Sequence, residues 1–504
     1  MPQLFNKVLI ANRGEIAVRV IRACRTLGIK TVTVYSTADK YAVHTLMGDE
    51  SYEIGPPPPL ESYLNIDRII ETAKTAGAEA IHPGYGFLAE NPRFSQACRD
   101  NGLVFIGPTP ESILLMGNKV ESRIKMADTG VPLIPGMKAA GNHIDEFRIV
   151  ADEAGYPVLI KAAAGGGGKG MRVVKHPDDL QTAVDGARRE AKSAFGDDTV
   201  YLEKYIVNPR HIEFQVLADH HGTTIHLFER ECSIQRRHQK IVEETPSTAV
   251  TPELRRRMGD AAVAVAKAAG YTNAGTVEFL LDTQGKFYFL EMNTRIQVEH
   301  PVTEVVAGVD LVTEQIRIAA GFPMSDHFKN LSQRGHALEC RIYAEDAANN
   351  FMPSIGKILL YREPTGPGVR VDSGVTHGSV IGIDYDPILA KLIVWGPDRD
   401  AARARMIRAL AEYKILGIRH SIRYLADIVA HPRFADGETY TDFIDRNFAD
   451  WEEKADEQLD LALAAAAAIN ANGKRVMAGA GPHAQAAYNP WLTMGGWRIG
   501  EKTR

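Results

Sequence analysis

The chain has 504 residues, of which 45% are hydrophobic and 24% charged, a balance typical of globular proteins rather than wholly disordered ones. The 58 lysines and arginines against 63 aspartates and glutamates give a formal charge of −5, which does not favour a nucleic-acid binder beyond a local basic patch. No apolar run approaches the ~20 residues of a membrane span, and a predicted strand at residues 8–11 leaves no room for a signal peptide, so we expect a cytoplasmic protein.

The N-terminal region alternates short apolar strands with helices. Strands are predicted at residues 8–11, 31–35, 80–82 and 104–106, and a helix by the spacing of Ile16, Val20, Cys24 and Leu27. This alternation predicts a parallel α/β sheet. The first strand-to-helix turn contains one glycine, so a dinucleotide-binding GxGxxG is not present there. Residues 55–59 predict a stiff extended loop, and the four widely spaced cysteines predict reduced, buried thiols.

A glycine-rich segment lies at residues 165–170, between a predicted strand containing Lys161 and another strand. Consecutive glycines allow backbone N–H groups to approach an anion closely. Glycine follows Lys169 and a strand comes next, so this is not a Walker A loop. The segment favours a lid over phosphates above Lys161, and a flexible hairpin tip is the alternative.

A predicted β-hairpin places two carboxylates opposite each other. If Asp282 pairs with Phe287 across a four-residue loop, Glu278 faces Glu291. Facing carboxylates repel by up to about 1 kcal/mol, a cost that a bound divalent cation removes. A solvated acidic face is the alternative.

Five polar residues alternate directly after this point: Glu291, Asn293, Arg295, Gln297 and Glu299. In an extended segment all five share one face. Such a face can supply metal ligands, an anion clamp and a base, whereas an ordinary polar strand face would favour Lys, Thr and Ser.

Several other features are open to two interpretations. Residues 235–240 (QRRHQK) indicate a phosphate or bicarbonate site, or a solvated loop. His211 alone is more typical of a structural histidine, and Arg341, on a predicted strand, of a buried ion pair. A helix is predicted over residues 399–416. In the alanine-rich tail, Trp491 and Trp497 indicate a partner surface, or a tail that folds back on its own core.

Together these motifs resemble biotin carboxylase, the ATP-dependent component of biotin-dependent carboxylases. The resemblance covers roughly residues 4–450 and rests on residues 10–17 (IANRGEIA), 82–88 (HPGYGFL), 236–240 (RRHQK), 291–301 (EMNTRIQVEHP) and the glycine-rich lid. It implies mixed α/β and α+β domains: a Rossmann-like N-terminal domain (1–118), an ATP-grasp domain (119–335, lid 132–204), a C-terminal domain (336–450) and an assembly extension (451–504).

The resemblance also implies roles for individual residues. Glu278, Glu291 and Asn293 would bind Mg²⁺ or Mn²⁺; Lys240, Arg295, Gln297 and Val298 would bind bicarbonate; Glu299 would be the general base, Arg341 would stabilise the biotin enolate, and Tyr85 would lie near biotin. The residues expected at ATP are Lys119, Lys161, Gly166, Gly167, Lys169, Glu203, Lys204, Ile206, His211, Gln235 and His238.

The implied activity is ATP- and bicarbonate-dependent carboxylation of biotin through carboxyphosphate. A Met-Lys-Met biotinylation motif is missing, and Ile388-Leu389 stands where the family pattern has methionine after Tyr-Asp-Pro. We therefore expect biotin on a separate biotin carboxyl carrier protein, a carboxyltransferase on another chain, and a homodimer within an acetyl- or propionyl-CoA carboxylase. The alternatives are a component of a two-subunit pyruvate carboxylase, another ATP-grasp carboxylate–amine ligase, and a non-enzymatic nucleotide-sensing protein.

Overall fold

The computed structural model describes residues 2–137, 141, 143–163, 171–237 and 239–453, except for the side chains of residues 195 and 329. The glycine-rich lid with Gly166, Gly167 and Lys169, the side chain of His238 and the tail tryptophans therefore lie outside the described residues. The chain divides into two compact units, Met1–Trp451 and Glu452–Arg504.

The N-terminal part is a five-stranded parallel sheet in the order β3-β2-β1-β4-β5. Its elements are β1 (Lys7–Ile10), α1 (Gly14–Thr26), β2 (Lys30–Ser36), α2 (Val43–Met47), β3 (Glu50–Gly55), α3 (Ile66–Thr75), β4 (Ala80–His82), α4 (Pro92–Asp100), β5 (Val104–Phe105) and α5 (Pro110–Gly117). The predicted parallel sheet is confirmed. Strand β3 was missed because its edge position leaves polar residues exposed, and the predicted loop begins only after Gly55 and ends in a 3₁₀ turn, Pro59–Glu61.

Both faces of this sheet are covered by apolar side chains. Val8 and Ile10 pack with Ile16 and Val20 of α1, whereas Leu9 points to the other face. Alternation of direction along a strand accounts for the two layers.

The next part is a small three-stranded sheet flanked by helices. Its elements are α6 (Lys119–Ala127), α7 (Ile144–Ala154), β6 (Val158–Ala162), β7 (Arg172–Val174), α8 (Leu180–Phe195) and β8 (Val200–Lys204). Strand β6 is central and antiparallel to both neighbours. The two strands predicted on either side of the glycine-rich segment are thus confirmed as a pair.

An eight-stranded antiparallel sheet forms the largest layer, in the order β13-β12-β9-β10-β11-β14-β21-β19. Its elements and those packed around it are β9 (Arg210–Ala218), β10 (Thr224–Arg236), β11 (Gln239–Thr245), α9 (Pro252–Ala268), β12 (Asn273–Leu281), β13 (Phe287–Asn293), α10 (His300–Ala307), α11 (Leu311–Ala319), β14 (His336–Tyr343), β15 (Glu345–Asp346), β16 (Met352–Pro353), β17 (Gly356–Lys357), β18 (Leu360–Arg362), β19 (Val369–Ser373), β20 (Val380–Ile381) and β21 (Ile388–Gly396). The sheet joins residues before and after position 336, because β14, β21 and β19 extend it.

The helix predicted over residues 399–416 is shorter than expected. The chain forms α12 (Arg399–Glu412), then β22 (Lys414–Leu416), which pairs with β18, followed by α13 (Ile422–Ala430), α14 (Pro432–Ala435) and α15 (Phe443–Asn447). Short apolar stretches fit helix and strand periodicity equally well, and here pairing with β18 decides.

Two composition-based expectations can be compared with the structure. Cys24, Cys98, Cys232 and Cys340 are free and buried, as predicted. Within the described part of the chain, no helix combines the length and apolar character needed to cross a bilayer.

Candidate active site

The β12–β13 hairpin brings Glu278 and Glu291 into facing positions, as predicted, but by a different register. Leu281 rather than Asp282 pairs with Phe287, and an irregularity between Phe279 and Glu278 adds one residue to β13. Bulges of this kind shift the register and redirect the side chains that follow. The error in the loop and the bulge cancel, so the two carboxylates share one edge of a cavity.

That cavity has a volume of about 550 Å³ and lies between the small sheet and the large one. A volume of this size suits a nucleotide-sized ligand. The sequence-predicted residues that line it are Lys119, Lys161, Glu203, Lys204, Ile206, His211, Gln235, Lys240, Glu278, Glu291, Asn293, Arg295, Gln297, Val298 and Arg341. Glu299 lies buried behind this lining, and Tyr85 lies outside it.

Oxygen-bearing side chains gather at the strand edge. Glu278 Oε1 accepts hydrogen bonds from Asn293 Nδ2 at 2.8 Å and Gln297 Nε2 at 3.1 Å. Glu291 Oε2 lies 3.5 Å from Lys119 Nζ. Burial would raise the pKa of Glu278, but the charges of Lys240 and His211 hold it well below its ordinary value. Two carboxylates and an amide oxygen are hard donors that fit Mg²⁺ or Mn²⁺.

The extended segment predicted through Glu299 ends early. Strand β13 stops at Asn293, the chain bends at Thr294 and Arg295, and a turn leads into α10. Gln297 still reaches Glu278, but Glu299 occupies the position before α10 and points into the protein interior. The polar residues therefore converge through a bend, not along one strand face.

Glu299 is the most enclosed carboxylate of the predicted set. Its Oε1 lies 2.8 Å from Lys240 Nζ and its Oε2 lies 3.0 Å from Arg341 Nη2. Burial would raise the pKa of Glu299, but Lys240, Arg341 and Arg230 lower it well below its usual range. A buried carboxylate that stays ionised can accept a proton at neutral pH.

Lys240 joins three carboxylates. Its Nζ lies 2.5 Å from Glu213, 2.8 Å from Glu278 and 2.8 Å from Glu299. Burial would lower the pKa of Lys240, but these charges raise it well above its ordinary value, so the ammonium persists. The antiparallel pairing of β10 with β11 places Lys240 opposite Gln235.

The side of the cavity formed by the small sheet carries a separate ion pair. Lys161 Nζ lies 2.9 Å from Glu203 Oε1, and both are buried. Lys204 Nζ instead donates to the carbonyl of Gly155 at 2.7 Å, at the end of α7. His211 Nε2 lies 2.9 Å from Glu278 Oε2, and its Nδ1 lies 3.0 Å from Gln235 Nε2.

Three glutamates that contact the predicted site residues were not predicted from the sequence. Glu90 holds Arg295, with Oε2 2.8 Å from Nε, and Glu243 lies 2.6 Å from Arg341. Glu213 could have been predicted from the sequence, because it alternates with His211 and Gln215 on one face of an otherwise apolar strand. No local pattern could have predicted Glu90, since it lies about 200 residues from its partner along the chain.

Comparisons with known proteins settle the family. The model of the biotin carboxylase N-terminal domain matches residues 4–113, that of the carbamoyl-phosphate synthase L chain ATP-binding domain residues 118–327, and that of the biotin carboxylase C-terminal domain residues 339–446. The biotin carboxylase of Nostoc sp. is 53% identical, over 87% of this chain and 98% of its own length. The chain belongs to the biotin carboxylase family.

Other members are comparably similar but belong to different carboxylases. A pyruvate carboxylase subunit of Methanothermobacter thermautotrophicus is 58% identical over 88% of this chain and 90% of its own. The alpha chain of mouse mitochondrial methylcrotonoyl-CoA carboxylase is 48% identical over 88% of this chain, and the matching part spans 62% of its length. This biotin carboxylase is therefore an ATP-dependent ligase whose relatives belong to carboxylases with several acceptors.

Solved structures confirm the predicted fold class. The biotin carboxylase domain dimer of Hydrogenobacter thermophilus 2-oxoglutarate carboxylase, solved with MgADP, ADP and bicarbonate, superposes with a TM-score of 0.86 at 49% identity. It covers 90% of this chain and 100% of that one. The biotin carboxylase of Campylobacter jejuni gives a TM-score of 0.85 at 45% identity, over 88% and 99% of the two chains.

Proposed function

We propose that this biotin carboxylase catalyses the first half-reaction of an acetyl- or propionyl-CoA carboxylase, carboxylating N1′ of biotin on a separate carrier protein with ATP and bicarbonate. The observation that carries the biotin carboxylation step is Glu299, a fully buried carboxylate whose pKa is held low by Lys240 and Arg341 beside a nucleotide-sized cavity. A base of this kind suits a small acidic substrate that loses a proton before it attacks phosphorus.

ATP would occupy the cavity with its phosphates toward Lys119 and Lys161, and with adenine near the backbone of residues 203–206. Lys204 Nζ already donates to the Gly155 carbonyl. The backbone of Lys204, rather than its ammonium, would therefore contact adenine. Glu278, Glu291 and Asn293 would hold Mg²⁺ or Mn²⁺, which when bound supplies positive charge against the phosphates.

Bicarbonate would bind among Lys240, Arg295, Gln297 and the backbone of Val298. Glu299 accepts its proton, the freed oxygen attacks the γ-phosphorus, and the bond from phosphorus to the ADP oxygen breaks. The products are ADP and carboxyphosphate. Cationic groups already fixed at the site lower the barrier because they need no reorganisation as charge develops.

Carboxyphosphate then breaks into CO₂ and phosphate, and phosphate takes the N1′ proton of biotin. The resulting enolate attacks CO₂ while Arg341 stabilises its oxygen. Once Glu299 is protonated it attracts Arg341 less strongly, so the first proton transfer would loosen one of the two carboxylate contacts of the guanidinium, the other being with Glu243. The 3.0 Å contact between Arg341 and Glu299 supports this coupling.

A second candidate assembly is a two-subunit pyruvate carboxylase. The specific observation in its favour is the 58% identity with the pyruvate carboxylase subunit of M. thermautotrophicus, over nearly the whole length of that protein. In either assembly we expect a biotin carboxyl carrier protein and a separate carboxyltransferase to be the partners. A homodimer is proposed from the dimeric H. thermophilus structure.

The decisive experiment measures ADP release with Mg²⁺, ATP and bicarbonate, with and without free biotin. Bicarbonate-dependent release that rises with biotin and collapses in Glu299→Gln supports the proposal. Glu229→Gln is the matched control, because Glu229 is equally buried and ion-paired, with Arg255. If the protein binds ATP but its ADP release does not depend on bicarbonate, the proposed bicarbonate-binding roles are wrong. Another ATP-grasp ligase would then be favoured.

The acceptor requires a separate test. Purified chain, carrier and carboxyltransferase would be incubated with labelled bicarbonate and acetyl-CoA, propionyl-CoA, 3-methylcrotonyl-CoA or pyruvate. Labelling of acetyl- or propionyl-CoA supports the proposed assembly, and exclusive labelling of pyruvate would replace it with the second.

A further inference from the structure

Lys391 is a fully buried lysine that has no assigned role in the proposed reaction. It lies on β21, directly opposite Arg341 of β14 on one side and Asp372 of β19 on the other. Side chains at opposing positions of an antiparallel sheet project from the same face. Lys391 therefore points toward the same interior region as Arg341, where Glu299 lies.

The Lys391 ammonium donates a hydrogen bond to the main chain beside the proposed base. Its Nζ lies 2.9 Å from the carbonyl oxygen of Val298. That carbonyl belongs to the peptide that joins Val298 to Glu299, so the contact fixes the plane of this peptide. Val298 lines the cavity and Glu299 turns inward from the next position.

The charge of Lys391 is balanced by a carboxylate from the N-terminal part of the chain. Glu15, in the first turn of α1, is also buried, and its Oε2 lies 3.2 Å from Lys391 Nζ. Asp372 Oδ2 lies 4.0 Å away. An ammonium without such partners would be costly to bury.

The same lysine stands beside the HPGYG loop. Its Nζ lies 5.9 Å from the ring centroid of Tyr85, and Asn12 Nδ2 donates to the Tyr85 carbonyl at 2.7 Å. Asn12 and Glu15 both belong to the IANRGEIA motif. The motif thus contacts both Lys391 and the loop that carries Tyr85, although it supplies no residue to the cavity lining.

We infer that Lys391, held by Glu15, is a positioning residue that sets the Val298–Glu299 peptide for bicarbonate. The IANRGEIA motif then serves catalysis indirectly, by anchoring the lysine that orients the base. This inference rests on the proposed bicarbonate site. Because misplacement by about 1 Å can cost about a hundredfold in rate, a lost anchor here affects the chemistry as well as folding.

The test compares Lys391→Met with wild type in ADP release, measuring KM for bicarbonate and for ATP separately. We expect kcat/KM for bicarbonate to fall between about tenfold and a hundredfold, with KM for ATP within about twofold. Arg255→Met is the matched control, since it also removes a cation from a fully buried glutamate, Glu229. It should lower thermal stability without a change in KM for bicarbonate.

Glu15→Gln tests the same inference if Lys391→Met does not fold. Assayed at about pH 8, above the pKa of about 7 of Glu15, the substitution keeps the size of the side chain and removes its charge, so a rise of several-fold in KM for bicarbonate is expected. Folded variants that lose only thermal stability, or that lose ATP and bicarbonate affinity equally, would overturn the inference. A wild-type protein without bicarbonate-dependent ADP release would instead overturn the proposed function, so the two failures are distinguishable.

Discussion

The two main sheets differ in what their strands bury. In the five described strands of the parallel sheet, none of the aspartate, glutamate, lysine or arginine side chains is buried; Lys7, Lys30, Glu50 and Glu53 all retain exposure. The eight-stranded sheet buries many charged residues: Glu213, Glu229, Arg230, Glu231, Arg236, Glu243, Glu244, Glu278, Glu339, Arg341, Asp372 and Lys391.

The two sheets therefore differ in the free-energy cost of desolvating charged side chains. Buried charges rarely improve stability over apolar residues of the same size, because desolvation offsets the attraction. The cost of burying charge therefore falls on the sheet that borders the cavity, where Lys240, Glu278 and Arg341 line the site. The strands of the parallel sheet are packed through apolar side chains. This region contacts Lys391 through Glu15 of α1 and Tyr85 of the loop after β4.

The largest expected effect comes from removing the charge of the base. Glu299→Gln should lower bicarbonate-dependent ADP release by between about a hundredfold and ten-thousandfold, because general base catalysis is lost. Steady-state rates with saturating ATP measure this. A variant within about threefold of wild type would mean that Glu299 is not the base, and that its ion pairs with Lys240 and Arg341 of the large sheet serve stability instead.

The next effect compares a charge with an apolar side chain. Arg230 is fully buried, and its Nε lies 2.5 Å from Glu213. Arg230→Met should lower the free energy of unfolding by about 3–5 kcal/mol, because it removes one of the two cations that pair with the buried Glu213 carboxylate, the other being Lys240. Ile81→Ala in the parallel sheet should cost about 2–5 kcal/mol through a cavity.

Denaturant unfolding of both variants and of Glu213→Gln/Arg230→Met separates the loss of charge pairing from the loss of packing. The double variant should recover part of the loss, since both partners of the pair are removed. If it recovers nothing, the arginine acts through packing, as Ile81 does.

A pH effect should appear where the two regions meet. Burial raises the pKa of Glu15 to about 7, despite the nearby charge of Lys391. The folded state therefore favours the protonated form. The stability that Glu15 contributes is complete below its ordinary pKa and falls as pH rises toward 7, by about 3 kcal/mol in total.

Glu15→Gln should remove this dependence, because glutamine resembles the neutral acid at every pH. Melting temperatures of the two proteins, measured from about pH 4.5 to about pH 8, should diverge as pH rises, with wild type becoming relatively less stable. Parallel curves would show that Glu15 ionises at its ordinary pKa inside the protein.

The smallest effect belongs to an exposed pair of the N-terminal part. Arg99 Nη1 lies 2.9 Å from Glu111 Oε1, and both side chains are more than half exposed. Arg99→Ala should change the free energy of unfolding by less than about 1 kcal/mol, because solvent screens the pair. A larger loss in denaturant unfolding would show that ion pairs matter in this region as much as in the large sheet.

Local patterns in the sequence predicted much of this architecture. The apolar strands of the parallel sheet, α1 and the β12–β13 hairpin follow from periodicity and turn residues, which depend on neighbours along the chain. Strand β3 was missed because its edge position leaves polar residues exposed, and the end of α12 was wrong because its state depends on pairing with the distant strand β18. The register of the hairpin was wrong by one residue, and a bulge restored the facing carboxylates.

The sequence by itself determined which residue types stand close together in the segment from Glu291 to Glu299, and through its motifs the family. Only the tertiary structure decided that Glu299 leaves the strand face and is buried between Lys240 and Arg341. It also decided that Glu90 and Lys391 contact this segment from remote parts of the chain. The physical reason is that charge pairing in an interior depends on distance in space, which local periodicity does not encode.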